Sequence, residues 1–464
     1  MSVHEILDVA AARWPDVPAV RDARGAWTYA ELAEAGRACA GWLGLRGVRP
    51  GDRVVARGIA DRRVCALWYG CSSAGAIFVP VSAGTRAYQL DGIIADAEPA
   101  VVVWGDGYGW TLDELWAALP GRSYAAPGDV ALFLYTSGST AQPKAVVCPH
   151  PQVVFAAHAI AARLRYRCGD VVYCRLPLGF DYGLYQLLLC AIGGATLVLA
   201  DDSVNTGLLS DVLAQGATVV PVVPALAEML VRLAARDSRP GAVRLFTNTG
   251  DALPPALITR LRARFPGAGI QLMFGLTECK RVSILDVDGD LAKPGSVGTP
   301  LDGTEVRIVD DAGNTVPPGL AGEIVVSGPH VMAGYWRAPE LTARRFHDGA
   351  LRTGDIGHLD ADGHLYFDGR RDHIFKLRGM RTSVAEIEAA TVDIPGVASA
   401  AVVPPRGERA AFVCVVTELS VEQVRGGLRD RLGPSKVLEV RLVPGLPLGS
   451  TGKVDRVALA REAG

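Results

Sequence analysis

Short apolar runs alternate along the chain with longer amphipathic stretches. Val54-Val55-Ala56, Ala76-Ile77-Phe78-Val79-Pro80-Val81 and Val101-Val102-Val103-Trp104 read as strands. A helix is predicted to open after Trp27, because Thr28 and Glu31 stand at capping-box spacing. Ala131-Leu132-Phe133-Leu134-Tyr135 reads as a buried strand, and further strands fall at 195–199, 218–223 and 243–247. Strand and helix in alternation predict parallel sheets covered by helices. From Val306 the texture changes to shorter strands and turns, at 306–309, 323–326 and 365–367, so a smaller β-rich portion is expected. Gly369-Arg370-Arg371-Asp372 reads as a junction. Past it, a helix from about Ser383, strands at 400–403 and 411–416 and a helix near Val421 make a compact α+β tail. The expected fold is α/β, with a large domain of helix-covered sheets over residues 1–371 and a small domain over 372–464.

Tyr182 to Ala200 carries no charge and is long enough to raise the question of a membrane span. Gly193-Gly194 interrupts it, so a buried helix, a turn and a strand are the better reading. The N-terminus, MSVHEILDVAAARWPDVPAV, lacks the basic segment and apolar core of a signal peptide.

Composition narrows the class. A chain of 464 residues, 49% hydrophobic and 21% charged, is globular and long enough for two or more domains. The formal net charge of −2 makes no electrostatic case for nucleic acid or an acidic membrane as partner. The nine cysteines are scattered and form no C-x-x-C pair, so they read as small buried hydrophobes of a reducing, cytoplasmic protein. The eight histidines form no H-E-x-x-H or Cys/His cluster, so no zinc site is expected.

Candidate chemistry begins where the 131–135 strand runs into Thr136-Ser137-Gly138-Ser139-Thr140, four hydroxyls around one glycine, followed by Pro143 and Lys144. Hydroxyl and backbone N–H donors suit an anion, and glycine lets the backbone approach it. Lys144 adds a mobile charge suited to a phosphate tail. Alone, the stretch is also an ordinary polar turn. It is not the NTPase P-loop, because Ala145 rather than Ser or Thr follows the lysine. Four other segments matter. Gly250-Asp251-Ala252-Leu253-Pro254 sets a glycine past a strand end, where a flat ligand can approach; the alternative is a helix start capped by Asp251. Phe274-Gly275-Leu276-Thr277-Glu278 offers a ring for a base and a carboxylate for Mg2+. Leu351-Arg352-Thr353-Gly354-Asp355 ends in a carboxylate able to accept from two ribose hydroxyls, or is simply a turn. Leu446 to Arg456, LPLGSTGKVDR, sets Lys453 on a tight loop, where a lysine is usually a solvated charge.

Together, in this order and spacing, YTSGSTAQPKA, GDALP, FGLTE, LRTGD, GRRDHIFKLRGMRTSVAEIE and LPLGSTGKVDR resemble the adenylate-forming superfamily of acyl-CoA synthetases, adenylation domains of non-ribosomal peptide synthetases and beetle luciferases. The resemblance runs from Trp27 to the C-terminus. It implies ATP-dependent activation of a carboxylic or amino acid as acyl-AMP with release of pyrophosphate. Transfer to the thiol of CoA or of a carrier protein's phosphopantetheine follows; the alternative is transfer to an amine. By the same resemblance Thr136, Ser137, Gly138, Ser139, Thr140 and Lys144 hold the β- and γ-phosphates. Gly250, Asp251 and Ala252 line the adenine, and Phe274 stacks on it beside Gly275. Thr277 contacts the α-phosphate and Glu278 binds Mg2+. Asp355 holds the ribose hydroxyls with Arg370 nearby. Asp372 is the hinge of a mobile C-terminal domain. Lys453 enters the site in the first step, and Gly379 lies on the thiol path in the second.

Some positions depart from the family pattern. Ala141 and Ala145 replace usual glycines, and Gly449 replaces a common threonine. Asp251 is one methylene shorter than the usual glutamate. Leu272 stands where peptide synthetases often place an asparagine for the adenine amino group, with Gln271 adjacent. None of these removes a residue expected to carry the chemistry, so an active enzyme is expected. Substrate signals are fewer. A Phe-Asp pair such as Phe180-Asp181 supplies the ammonium-binding aspartate of amino-acid adenylation domains; Asp181 equally reads as the cap of a helix starting near Tyr182. Lys280 and Arg281 are expected to face solvent, the alternative being contact with a second acidic group on the substrate. Asn248, Thr249 and Leu276 are expected to line the pocket with Phe180. Arg378, Arg381 and Lys436 are candidates for the 3′-phosphate of CoA, although an acidic carrier protein would favour the same residues, and a carrier protein is the preferred reading.

Overall fold

The computed structural model describes the whole chain except residues 59–60, 86, 105–109, 120–127, 137–143, 201–206, 237–240, 372–373, 378–379, 406–408, 450–453 and 463–464. Its largest sheet has nine strands. From Gly269–Phe274 through Leu245–Asn248, Val219–Val222, Val171–Cys174 and Thr196–Leu199 to Pro18–Asp22 the neighbours run parallel. Antiparallel strands close both edges. A second sheet orders Val101–Val103, Arg53–Gly58, Ile77–Ser82 and Val130–Thr136 in parallel, then adds Lys144–Pro149 antiparallel. Thr136 pairs with Lys144 in that register, so residues 137–143 join two paired strands. Lys144, expected in the loop, is instead the first residue of the returning strand.

The helices follow from local signals. Tyr29–Leu45 is opened by Thr28, which accepts from Glu31 N while the Glu31 carboxylate returns to the Thr28 N–H. The uncharged stretch resolves into the helix Asp181–Gly193, a turn at Gly194 and the strand Thr196–Leu199, as expected. Among the described residues no helix is long and apolar enough to cross a membrane. Pro18–Asp22, Val171–Cys174 and Gly269–Phe274 are strands that no local pattern marks. They are four to six residues long and carry no period that distinguishes them from loop or buried helix.

The β-rich portion is a five-stranded sheet built from Glu305–Val309, Gly322–Ser327, Phe346–His347, Ala350–Leu359 and Leu365–Arg370. Beyond it, Val397–Val403, Phe412–Thr417 and Glu439–Leu442 form a three-stranded sheet against the helices Val384–Val392 and Val421–Leu432. This part has its own apolar core, including Ile387, Val402, Val413 and Leu428. A large sheet-and-helix unit with a smaller C-terminal one is therefore the observed architecture. Eight of the nine cysteines are buried, with Cys168 exposed.

Two buried histidines predict how the fold responds to acid. His150 accepts the Val3 N–H on Nδ1 at 3.1 Å, and His330 is fully buried with neither ring nitrogen hydrogen-bonded among the described residues. Burial pushes both imidazoles down from 6.5 to about 4. Between those values the unfolded chain holds more protons than the folded one, so stability falls as pH drops from about 6.5 to about 4 and this loss levels off below that, where both states are protonated. Over the window itself each histidine contributes no more than roughly 3 kcal/mol to this loss. The urea midpoint should decline across that window, and His330→Leu should flatten the decline. An unchanged slope in the variant would remove His330 from the account.

Candidate active site

Leu245–Asn248 and Gly269–Phe274 are parallel neighbours, so the segments beginning at Thr249 and Gly275 leave adjacent carboxyl ends of the sheet. That is where open α/β sheets place their ligands. Asn248 is buried, and its Nδ2 donates to the carbonyls of Val222 and Asp251, each at 3.1 Å, which ties the Gly250 turn to the sheet. Gly250 has φ +87°, a conformation that favours glycine. Asp251 and Ala252 are exposed, and Asp251 Oδ1 accepts from Ala252 N at 3.0 Å. The next helix, Pro255–Arg264, has Pro254 at its N-cap, so Asp251 does not cap it. A Cβ at Gly275 would fall 2.0 Å from the Lys280 carbonyl oxygen. The 275–280 turn can close on itself only with glycine there.

Phe180, Asp181, Thr249, Gly250, Gly275, Leu276, Thr277 and Arg281 line a cavity of about 50 Å³. The N-cap of the Asp181–Gly193 helix is Phe180, and Asp181 is its first helical residue, with no side-chain cap bond. The Asp181 carboxylate instead faces Arg281 at 3.5 Å, both side chains being deeply buried. The expectation that Lys280 and Arg281 face solvent is thus overturned: they are 1% and 4% exposed. Lys280 has φ +64°, which turns the chain inward before Ser283–Ile284 pairs with the sheet. Its Nζ donates to the Thr277 carbonyl at 2.9 Å and to Cys148 Sγ at 3.4 Å, near the ring of Tyr185. Arg281 lies over the ring of Tyr182, whose hydroxyl is 2.7 Å from Thr247 Oγ1. Of these two buried cations, Arg281 is the one paired with the buried Asp181 carboxylate, while Lys280 is held by a carbonyl, a thiol and a ring. Arg281 Nε and Thr249 Oγ1 are buried without a hydrogen-bond partner among the described residues.

Glu278 is half-buried beside this cavity. Its Oε1 accepts the Tyr335 hydroxyl at 2.5 Å and lies 4.0 Å from Arg345. Nothing local marks Tyr335 or Arg345 in the sequence, since each lies more than fifty residues from Glu278. Phe274 stacks on Phe367, with centroids 5.1 Å apart. Asp355 pairs across strands with Arg370, and its carboxylate lies 3.3 Å from that guanidinium. Gln271 is buried with its Nε2 on the Arg163 carbonyl at 3.2 Å, so its amide does not replace the asparagine absent at Leu272. Lys436 is engaged by Glu386. Ser137, Gly138, Ser139, Thr140, Asp372, Arg378, Gly379 and Lys453 lie outside the described residues.

Residues 7–336 match the AMP-binding enzyme family, and residues 386–453 match the C-terminal domain of AMP-binding enzymes. The chain belongs to the AMP-binding enzyme family. As a member it is an adenylate-forming ligase that handles ATP and AMP. Feruloyl-CoA synthase from an Amycolatopsis species is 30% identical over 479 residues, 97% of this chain and 96% of that one. ATP-bound MatB from Rhodopseudomonas palustris superposes with a TM-score of 0.88 at 27% identity, over 100% of this chain and 99% of that one. VinN in complex with L-aspartate has a TM-score of 0.74 at 43% identity, covering 80% of this chain and 98% of that one. For the AMP-binding enzyme a metal fits the Glu278 environment. Among the described residues no three His, Cys, Asp or Glu side chains converge as a preformed metal site. Glu278 Oε2 has no partner among them, and one free carboxylate oxygen suits Mg2+ delivered on nucleotide phosphates. When bound, the ion would supply charge neutralisation to those phosphates.

Proposed function

We propose that this AMP-binding enzyme activates a small amino acid bearing a second carboxylate and passes the acyl group to the phosphopantetheine thiol of a carrier protein. One observation carries the reading: the Asp181–Arg281 pair and Lys280 leave a buried excess of one positive charge beside a small cavity with unpartnered polar atoms. A substrate ammonium satisfies Asp181. A distal carboxylate satisfies Arg281, with Thr249 beside it and the field of Lys280 behind it. Phe180 and Leu276 complete the walls, and Asn248 holds the Gly250 turn in place. The remaining carboxylate is left at Thr277, facing the nucleotide. The neighbour VinN, solved with L-aspartate, is consistent with this substrate class.

In the first step a substrate carboxylate oxygen attacks the α-phosphorus and pyrophosphate leaves in line. Thr136 to Thr140 and Lys144 hold the leaving group, Thr277 the α-phosphate, and Asp355 with Arg370 the ribose. Gly250, Asp251, Ala252 and Phe274 face the adenine. Lys453 stabilises the charge where carboxylate and phosphate meet. The second step needs the small domain, 372–464, to swing about Asp372 away from domain 1–371, so that the thiol can pass Gly379. Lys436, one candidate contact for the CoA 3′-phosphate or for an acidic carrier protein, is already engaged by Glu386.

Acid-dependent ATP–pyrophosphate exchange tests the substrate class. Aspartate and its near analogues should drive exchange well above alanine, benzoate, ferulate and fatty acids. Highest exchange with an acid lacking an amino group would overturn the reading. Product analysis with CoA, carrier protein and amines then separates the acceptors.

A further inference from the structure

We propose that Tyr335 is a positioning residue for Glu278: its hydroxyl holds one carboxylate oxygen and so presents the other to the metal carried on the ATP phosphates. The proposal rests on Glu278 being the metal-binding carboxylate.

Tyr335 is fixed by everything except its hydroxyl. Its segment adds to the strand Lys144–Pro149 as an extra, antiparallel piece, with Tyr335 opposite Val146. Ala333 N donates to Val147 O at 3.1 Å, Val147 N to Gly334 O at 2.9 Å, and Trp336 N to Ala145 O at 2.9 Å. Tyr335 N donates to Thr342 Oγ1 at 2.9 Å, and the ring meets the edge of Phe346 at 5.8 Å. With backbone and ring so held, the hydroxyl is not needed to keep Tyr335 in place. Its hydrogen bond acts on Glu278, at 2.5 Å to Oε1. The same acidic residue is tied through its backbone, Met332 N donating to Glu278 O at 2.8 Å. Arg345 approaches the same oxygen, at 4.0 Å, and is itself anchored on the Thr353 carbonyl at 2.7 Å. Both cationic and hydroxyl contacts thus fall on Oε1, and Oε2 is the oxygen left open among the described residues.

The register gives the contact a second consequence. Tyr335 sits two residues along the strand from Lys144, the last of the predicted phosphate-holding residues. It therefore sets the distance between the strand that leaves the phosphate loop and the carboxylate on the FGLTE segment.

Tyr335→Phe removes only the oxygen and keeps the ring and backbone ties. The probe is Mn2+ with α,β-methylene-ATP, which cannot react, titrated against the full-length enzyme and read by electron paramagnetic resonance. Tyr335→Phe should bind the Mn2+–nucleotide about tenfold more weakly, as for loss of one hydrogen bond to a charged group, and bind metal-free nucleotide like the wild type. The KM for MgATP in pyrophosphate exchange should rise by a similar factor. Phe346→Leu loosens the ring packing but keeps the hydroxyl; equal weakening in it would show a packing effect and overturn the proposal. If Glu278→Gln weakens metal–nucleotide binding while Tyr335→Phe matches the wild type, the positioning role is wrong and the metal role of Glu278 stands. If Glu278→Gln matches the wild type, the metal role itself fails, and the proposal with it.

Discussion

Replacing Arg281 by leucine should lower kcat/KM for an aspartate-like substrate by about 10² to 10³. Arg281 is buried, and in the proposed complex it pairs with the distal carboxylate of the substrate; removing one member of such a buried ion pair leaves the other charge uncompensated. Such losses run to about 3–5 kcal/mol, and each 1.4 kcal/mol is about tenfold. The defect should also be selective. Alanine, which lacks the distal carboxylate, has no partner for Arg281 to lose, so the preference for aspartate over alanine should largely disappear. Exchange assays with both acids read this directly. A uniform loss on the two substrates would mean that Arg281 serves the fold rather than recognition. Arg281→Lys should rescue only part of the effect, because an ammonium keeps the charge but not the planar fork that reaches a carboxylate with two donors.

Lys453→Ala should slow adenylation by about 10² to 10³, as for loss of one preorganised donor at a developing charge. Attack on supplied acyl-adenylate should largely survive, because Lys453 is assigned to the first step alone. The two half-reactions can be measured separately, by pyrophosphate exchange and by acyl transfer from synthetic adenylate. Equal loss in both would contradict the assignment. Described residues close the two ends of the segment that carries Lys453. Leu448 pairs with Val454, Asp455 N donates to Pro447 O at 2.8 Å, and Arg456 is clamped by Glu388 at 2.8 and 3.1 Å. The loop base is therefore held to the helix Val384–Val392.

Much of the fold and of the site is legible in the sequence itself. The Thr28–Glu31 capping box, the break at Gly193-Gly194 and the strand at 131–135 are local signals; each forms, the strand running one residue further at either end, Val130–Thr136. The family resemblance places Asp355 and Arg370 near one another, and the register of two strands makes them direct partners. Lys280 and Arg281 mislead. Two adjacent cations after a glutamate look like a solvated turn in one dimension, since burying a charge is costly and nothing nearby in sequence offsets it. What compensates them lies mostly far away in the chain: Asp181 for Arg281, and Cys148 and the Tyr185 ring, with the local Thr277 carbonyl, for Lys280. Tyr335 goes unmarked for the same reason, because its target Glu278 is 57 residues distant.

Sequence alone determined many of the elements and which residues are candidates for the chemistry. Period, caps and glycine placement are properties of a few consecutive residues, and a hydroxyl loop, an FGLTE segment and a C-terminal lysine loop can be read from their order. Tertiary structure decided which charges meet. The adjacent strand ends at Asn248 and Phe274, the positive φ at Lys280 and the helix that begins at Asp181 bring Arg281 and Asp181 together at a small cavity, with Lys280 buried next to Arg281 in the chain. The balance of charge there depends on distances between residues far apart in the chain, and only the folded arrangement sets those distances.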